Sequence, residues 1–139
     1  MNEQVDVWLT NPYVETAAYF SVAILAVVVF LAVFELVTSY DNWEEIRKGN
    51  VAVAMATGGK IFGICNIFRF SIQNHDSLFQ SLVWASFGFL LLLAAYFLFE
   101  FLTPFFRIDR EIENGNKAVG LIAMVISVAA SYVVGAGVS

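Results

Sequence analysis

Cysteine, histidine, proline and charge are all scarce in this chain. One cysteine and one histidine occur among 139 residues, with two prolines. A single Cys65 closes no internal disulfide and fits no metal-ligand spacing. Charged residues make up only 14% of the chain, where soluble domains carry roughly 25%. The net charge of −5 argues against nucleic acid, which selects basic surfaces. No Gly-rich phosphate loop, catalytic triad or metal-ligand cluster is present, and nothing implies a cofactor. The reading is therefore of a protein that is not an enzyme.

What fills the chain instead is apolar. Hydrophobic residues reach 60% and aromatics 16%, against roughly 45–50% apolar in ordinary soluble domains. A soluble domain of this size has too little interior to hide so much apolar surface. The mean hydropathy of +0.76 agrees. This excludes a soluble enzyme, a disordered chain and a disulfide-stapled secreted domain.

A spanning helix needs about 20 mostly apolar residues. Four stretches qualify: 17–37, 51–72, 78–102 and 118–138. The polar joints between them are 38–50, 73–77 and 103–117. The predicted fold is an all-α integral membrane protein, one membrane domain over 1–139. The first span is too long for a cleaved signal peptide and follows a segment with no basic residue, so it is expected to stay. Asn11-Pro12 suits a helix start.

Lys and Arg placement sets orientation. Arg47 and Lys48 lie in the first joint, and Arg107, Arg110 and Lys117 in the third. Near the second joint there is only Arg69, expected to anchor its span with Phe68 and Phe70. Loops 38–50 and 103–117 are therefore expected in the cytoplasm and both termini outside. Each of these loops reads as a short helix. In the first, Asn42 is the predicted cap, with Glu45 three residues on as a capping box requires. Gly49 stops the helix and Asn50 caps the next span. Trp43 and Ile46 share a face that suits the interface. The third joint repeats this with Asp109 as cap, Gly115 as stop and Asn116 as the new cap.

The halves match: FELVT at 34–38 with FEFLT at 99–103, and EIRKGNVAVA at 45–54 with EIENGNKAVG at 111–120. Two spans per unit preserve orientation. The repeats, 12–72 and 78–138, are then parallel, related by a pseudo-twofold along the membrane normal.

The asparagine-led entries into the even spans, NWEEIRKGNVA at 42–52 and IENGNKAVG at 112–120, carry a resemblance. With their order and duplication, the chain resembles the bacterial YjfL-like family, also called domain of unknown function 350, over roughly 17–138. The resemblance implies a four-span inner-membrane protein and supplies no activity. It also implies a membrane-stress protein as partner. Lys60 stands where a small or apolar residue would be expected of the family.

Small residues dominate the even spans. Gly59 and Gly63 form a GxxxG pair, and Ala123, Ser127, Ser131 and Gly135 recur every fourth residue. Such ridges let helices approach closely in lipid. They predict that spans two and four pack centrally while one and three face lipid. The same ridges would also serve self-association.

Three ionisable residues fall inside the spans: Glu35, Lys60 and Glu100. Lys60 lies roughly 15 Å deep at ~1.5 Å per residue. Side chains lean toward their helix N-terminus, so the three vectors converge. Lys60 is expected to pair with Glu35, Glu100 or both. The alternatives are glutamates reaching interfacial water, a snorkelling Lys60, and a proton or ion relay. His75 is expected to be solvated, Trp84 and Tyr96 to sit at lipid or core, and Thr38 and Thr103 to bond helix carbonyls. Two functions remain. One is a structural or interaction module, a small bundle in the bilayer that assembles as a homo-oligomer or with a membrane-stress partner. The other is a small oligomeric channel or transporter using Glu35, Lys60 and Glu100.

Overall fold

A computed structural model of the chain describes residues 10–75, 77–101 and 107–138. The predicted end of the third span at 102, Thr103, Asp76 and the segment up to residue 9 lie outside the described residues. Among the described residues six helices follow in order. Four are long: α1 (Pro12–Val37), α3 (Val51–Asn74), α4 (Leu78–Phe101) and α6 (Lys117–Val138). Two are short: α2 (Asn42–Arg47) and α5 (Ile108–Glu113). The long helices hold 22 to 26 residues. At ~1.5 Å per residue each exceeds the ~30 Å hydrocarbon core. All four are apolar enough to cross it. The protein is an all-α, four-span membrane protein.

Local chemistry sets the helix ends. Asn11 accepts the Tyr13 N–H at 3.0 Å, with Pro12 in the first turn, so α1 starts five residues before its apolar stretch. Asn50 and Asn116 cap α3 and α6 by accepting from Val53 and Val119, each at 3.3 Å. Gly49 and Gly115 reverse the chain ahead of these caps with φ of 87° and 85°. That left-handed backbone suits glycine. Thr38 Oγ1 donates to the Glu35 carbonyl at 3.2 Å, as expected.

Two predicted caps are corrected. Asp41, not Asn42, caps α2: its carboxylate accepts the Glu44 N–H at 3.0 Å. A carboxylate at this position also complements the helix dipole. Asn42 lies inside the first turn, buried. Asp109 does not cap α5 either. The cap position is Arg107, without a side-chain bond. Burial of Ile108 and Ile112 turns that flank of α5 inward, and Asp109 goes in with it.

The two short helices dock on the same end of the bundle. Asn50 Nδ2 donates to the Glu113 carbonyl at 2.8 Å, tying the end of α5 to the start of α3. Asn50 also bonds Glu45, and Asn116 bonds Glu111 in the matching way.

α3 is the central helix, and 61% of its most apolar stretch is buried against 22–28% in the other three spans. It packs most extensively on α6, then on α4 and α1. α6 departs from the expected central place. One ridge of it meets α3 and α4, while Leu121, Ile122, Val125 and Val133 stay exposed. It is no more buried than α1. α1 is held on α3 and α4 by aromatic rings. Phe30 stacks on Phe89 at 4.2 Å, and Phe34 meets Phe89 edge-on at 5.4 Å.

Candidate functional site

Lys60 is the most deeply placed charge in the bundle, with 2% of its surface exposed. Its ammonium lies 5.1 Å from the ring centres of both Phe34 and Tyr96. Among the described residues it forms neither an ion pair nor a hydrogen bond. Two ring faces attract a cation, worth about 2 kcal/mol each when dry. They leave three N–H donors unsatisfied, which in an apolar core costs several kcal/mol. The carboxylates whose charges reach Lys60 are Asp109 and Glu100.

Asp109 holds this cluster together. It is buried on α5 and accepts the Tyr96 hydroxyl on one oxygen. Its other oxygen accepts the Ser39 N–H at 3.3 Å, and its own N–H donates to Glu100. One six-residue helix therefore ties α4, the segment after α1, and the charge facing α3. Tyr40 closes the cluster from the α1 side, buried. Burial and the charges of Asp109, Glu100 and Glu113 push its phenol well above the ordinary range, so it stays neutral. A cavity of about 410 Å³ opens beside these groups, lined by Val37, Ser39, Glu100, Arg107, Asp109, Arg110 and Glu113.

The convergence expected of Lys60 with two glutamates is met in part. Glu100 is near, but Glu35 stands outside the cluster. Phe34 takes the inward position on α1, and the next residue is turned about 100° away. Lys60 ion-pairs with neither glutamate. Asp109 and Tyr96, which sequence reasoning placed as a cap and at the lipid boundary or core, are the groups that organise the site. The available signal was the Ile108/Ile112 pair flanking Asp109 in a six-residue helix.

The packing residues meet in one seam. A methyl group at Gly59 would lie 2.7 Å from Met124 Cα, and one at Gly120 would lie 2.7 Å from the Ala52 carbonyl oxygen. These helices touch backbone to backbone. Gly63 faces Ser127 and Ser131, Gly135 faces Phe70, and Ala123 is buried. A polar clasp joins the same seam: Asn66 Nδ2 donates to Ser131 Oγ at 3.0 Å. Farther along, Arg69 is exposed, bonding Asn66 at 3.3 Å and lying over Phe70. The half-buried ring of His75 stacks on Trp84 with the ring centres 5.3 Å apart.

Four apolar spans and a charged cluster at one end of the bundle define a multi-pass integral membrane protein with an ionisable core. The chain belongs to the family described as Domain of Unknown Function (DUF350), whose model matches residues 8–138. It is 63% identical over 133 residues to the UPF0719 transmembrane protein YshE of Bacillus subtilis, covering 96% of this chain and 98% of that protein. It is 23% identical over 105 residues to the UPF0719 inner membrane protein YjfL of Escherichia coli, covering 76% of this chain and 78% of that one. No solved structure matches.

Proposed function

We propose that this chain is a self-associating structural module of the bacterial inner membrane, and that copies meet along the outer flank of α3. The observation that carries the reading is an open stripe on the most buried helix. Val51, Ala54, Gly58, Phe62, Cys65 and Arg69 are exposed and recur every three or four residues, which puts them on one face. Nothing lies within 4 Å of a methyl group built at Gly58. Ala54, Gly58 and Cys65 are small and let a second helix approach closely in lipid, where packing rather than hydrophobicity drives association.

Internal symmetry supports the same reading. Gly59 meets Met124, Gly63 meets Ser127 and Asn66 meets Ser131, so each contact joins residues 64 or 65 apart. The repeated caps Asn50 and Asn116 are 66 apart. At these three contacts a residue of α3 faces nearly its own counterpart on α6, which supports a pseudo-twofold between two parallel hairpins. α4 fills one groove of the α3–α6 pair, but α1 packs on α3 and α4. The groove equivalent to α4's seat, bordered by the open stripe, is the one left for a second copy. The excess of Lys and Arg at the α2–α5 end orients that end toward the cytoplasm, with both termini outside.

Cys65 makes the test direct. It is exposed on the stripe and is the single cysteine, so any disulfide joins two chains. Copper-phenanthroline oxidation of native membranes is expected to yield a dimer through Cys65, and Gly58→Leu is expected to weaken it. A monomer by native mass spectrometry, with no cross-link, would sink the reading.

The second reading is a small oligomeric proton or ion channel, favoured by the buried ammonium of Lys60 within the field of Glu100 and Asp109, which line a cavity. Flux through liposomes that Lys60→Met abolishes would move the conclusion there.

A further inference from the structure

We infer that the cavity between the ends of α1, α4 and α5 binds a zwitterionic phosphoamine: a phosphate diester carrying a primary ammonium, as in the ethanolamine phosphate headgroup. Its volume of about 410 Å³ lies within the range of small-ligand sites, roughly 300–1,000 Å³. Val37 and Glu100, near the last turns of two spans, form part of its wall. That sets it at the level of lipid headgroups.

The lining carries both charges. Arg107 and Arg110 stand one helical turn apart and are exposed. Among the described residues neither guanidinium donates a hydrogen bond or closes an ion pair, although Arg107 and Glu100 attract each other. Two planar forks present donors in the geometry that phosphate oxygens accept. Glu100, from the end of α4, and Glu113, one turn beyond Arg110 on α5, share the lining. Asp109 contributes its charge, while its oxygens are held by Tyr96 and Ser39.

A bare anion in this cavity would face three carboxylates, and a bare cation two guanidiniums. A group with phosphate and ammonium a few bonds apart satisfies both sets at once. A primary ammonium also brings three donors for the carboxylates, which a trimethylammonium lacks. The site lies within one copy of the chain, so it stands or falls independently of self-association.

The chain is reconstituted in nanodiscs of phosphatidylcholine doped with equal amounts of phosphatidylethanolamine and phosphatidylglycerol of matched acyl chains. Lipid retained by the protein is read by native mass spectrometry. Phosphatidylethanolamine is expected to be retained over both others by about tenfold, the effect of one charge-assisted hydrogen bond. The Arg107→Gln, Arg110→Gln double variant is expected to lose the preference, and Lys117→Gln to keep it. Both arginines are exposed, and helicity by circular dichroism checks that the double variant is folded. Soluble phosphoethanolamine separates the sources. If it displaces the lipid or raises the melting temperature, the site reads the headgroup alone. If only the lipid is retained, the acyl chains are needed too. Equal retention of the three lipids with no effect of phosphoethanolamine overturns the inference, as does a preference untouched in the double variant.

Discussion

The ammonium of Lys60 rests over the face of Tyr96 at 5.1 Å, while the hydroxyl of that ring is donated to Asp109. Tyr96 thus stands between a buried cation and a buried anion, touching each with a different part of the ring system. The hydrogen bond makes Asp109 a fixed countercharge, and the ring face takes some of the load that an acceptor would carry. This explains how a lysine persists so deep in an apolar bundle without an ion pair.

Asp109 and Lys60 should therefore be coupled in stability. Asp109→Ala removes two accepted hydrogen bonds and strands the ammonium, and is expected to cost about 3 kcal/mol. Lys60→Met in that background removes the stranded charge and should recover about 1–2 kcal/mol of it, within the range of coupled neighbours. The measurement is reversible unfolding in detergent for the wild type, both single variants and the double. Additive effects within 0.5 kcal/mol, roughly the scatter of independent sites, would refute the coupling.

How much of this was legible in the sequence divides along one line. Depth was legible, and direction around a helix axis was not. The apolar lengths located four spans, and the glycine–asparagine pairs at 49–50 and 115–116 located two stops and two caps. Small-residue spacing identified the α3–α6 seam through Gly59, Gly63 and Ser131. Lys60 was expected to reach Glu35 because their side chains lean toward each other, but α1 is apolar all round, so nothing in its pattern said that Phe34 and not Glu35 faces inward. Asp109 was missed for a related reason. A six-residue helix is too short for periodicity to name its inner face, and an acid at its start looks like a cap. The exposed outer faces of α6 were also illegible, because lipid-facing and protein-facing apolar residues are chemically alike.

Tyr96 separates the two contacts by substitution. Tyr96→Phe keeps a ring over Lys60 and loses the bond to Asp109, at an expected cost of about 1–2 kcal/mol. Tyr96→Leu loses the ring face as well and should cost about 1–2 kcal/mol more. Thermal unfolding of the two variants side by side reads the difference. Equal melting temperatures would mean that the ring face does nothing for Lys60.

Gly59 and Gly58 are adjacent yet should respond in opposite ways. A methyl group at Gly59 would press on the Met124 backbone, while Gly58 faces open space. Gly59→Ala is expected to destabilise by about 1–3 kcal/mol, as overpacked sites do. Gly58→Ala should stabilise the monomer by about 0.5–1 kcal/mol through the lost backbone freedom of glycine. Melting temperatures in dilute detergent, where monomers dominate, test the pair. A destabilised Gly58→Ala monomer would contradict the open face.

The clasp between Asn66 and Ser131 should be asymmetric. Ser131 Oγ accepts from Asn66 and gives its own proton to the Val128 carbonyl at 2.6 Å. Replacing Asn66 by Leu takes away one donor and leaves Ser131 still bonded. Replacing Ser131 by Ala instead leaves the Asn66 amide N–H buried with no acceptor on α6, while its carbonyl stays with Arg69. Interhelical bonds in membranes average about 0.6 kcal/mol, with a maximum near 1.7 kcal/mol. Ser131→Ala is expected near the upper figure because it orphans a buried donor, and Asn66→Leu near the lower one if the larger side chain is accommodated. Reversible unfolding in detergent gives both values. Asn66→Leu proving the costlier of the two would show that packing volume, not the orphaned amide, governs this part of the seam.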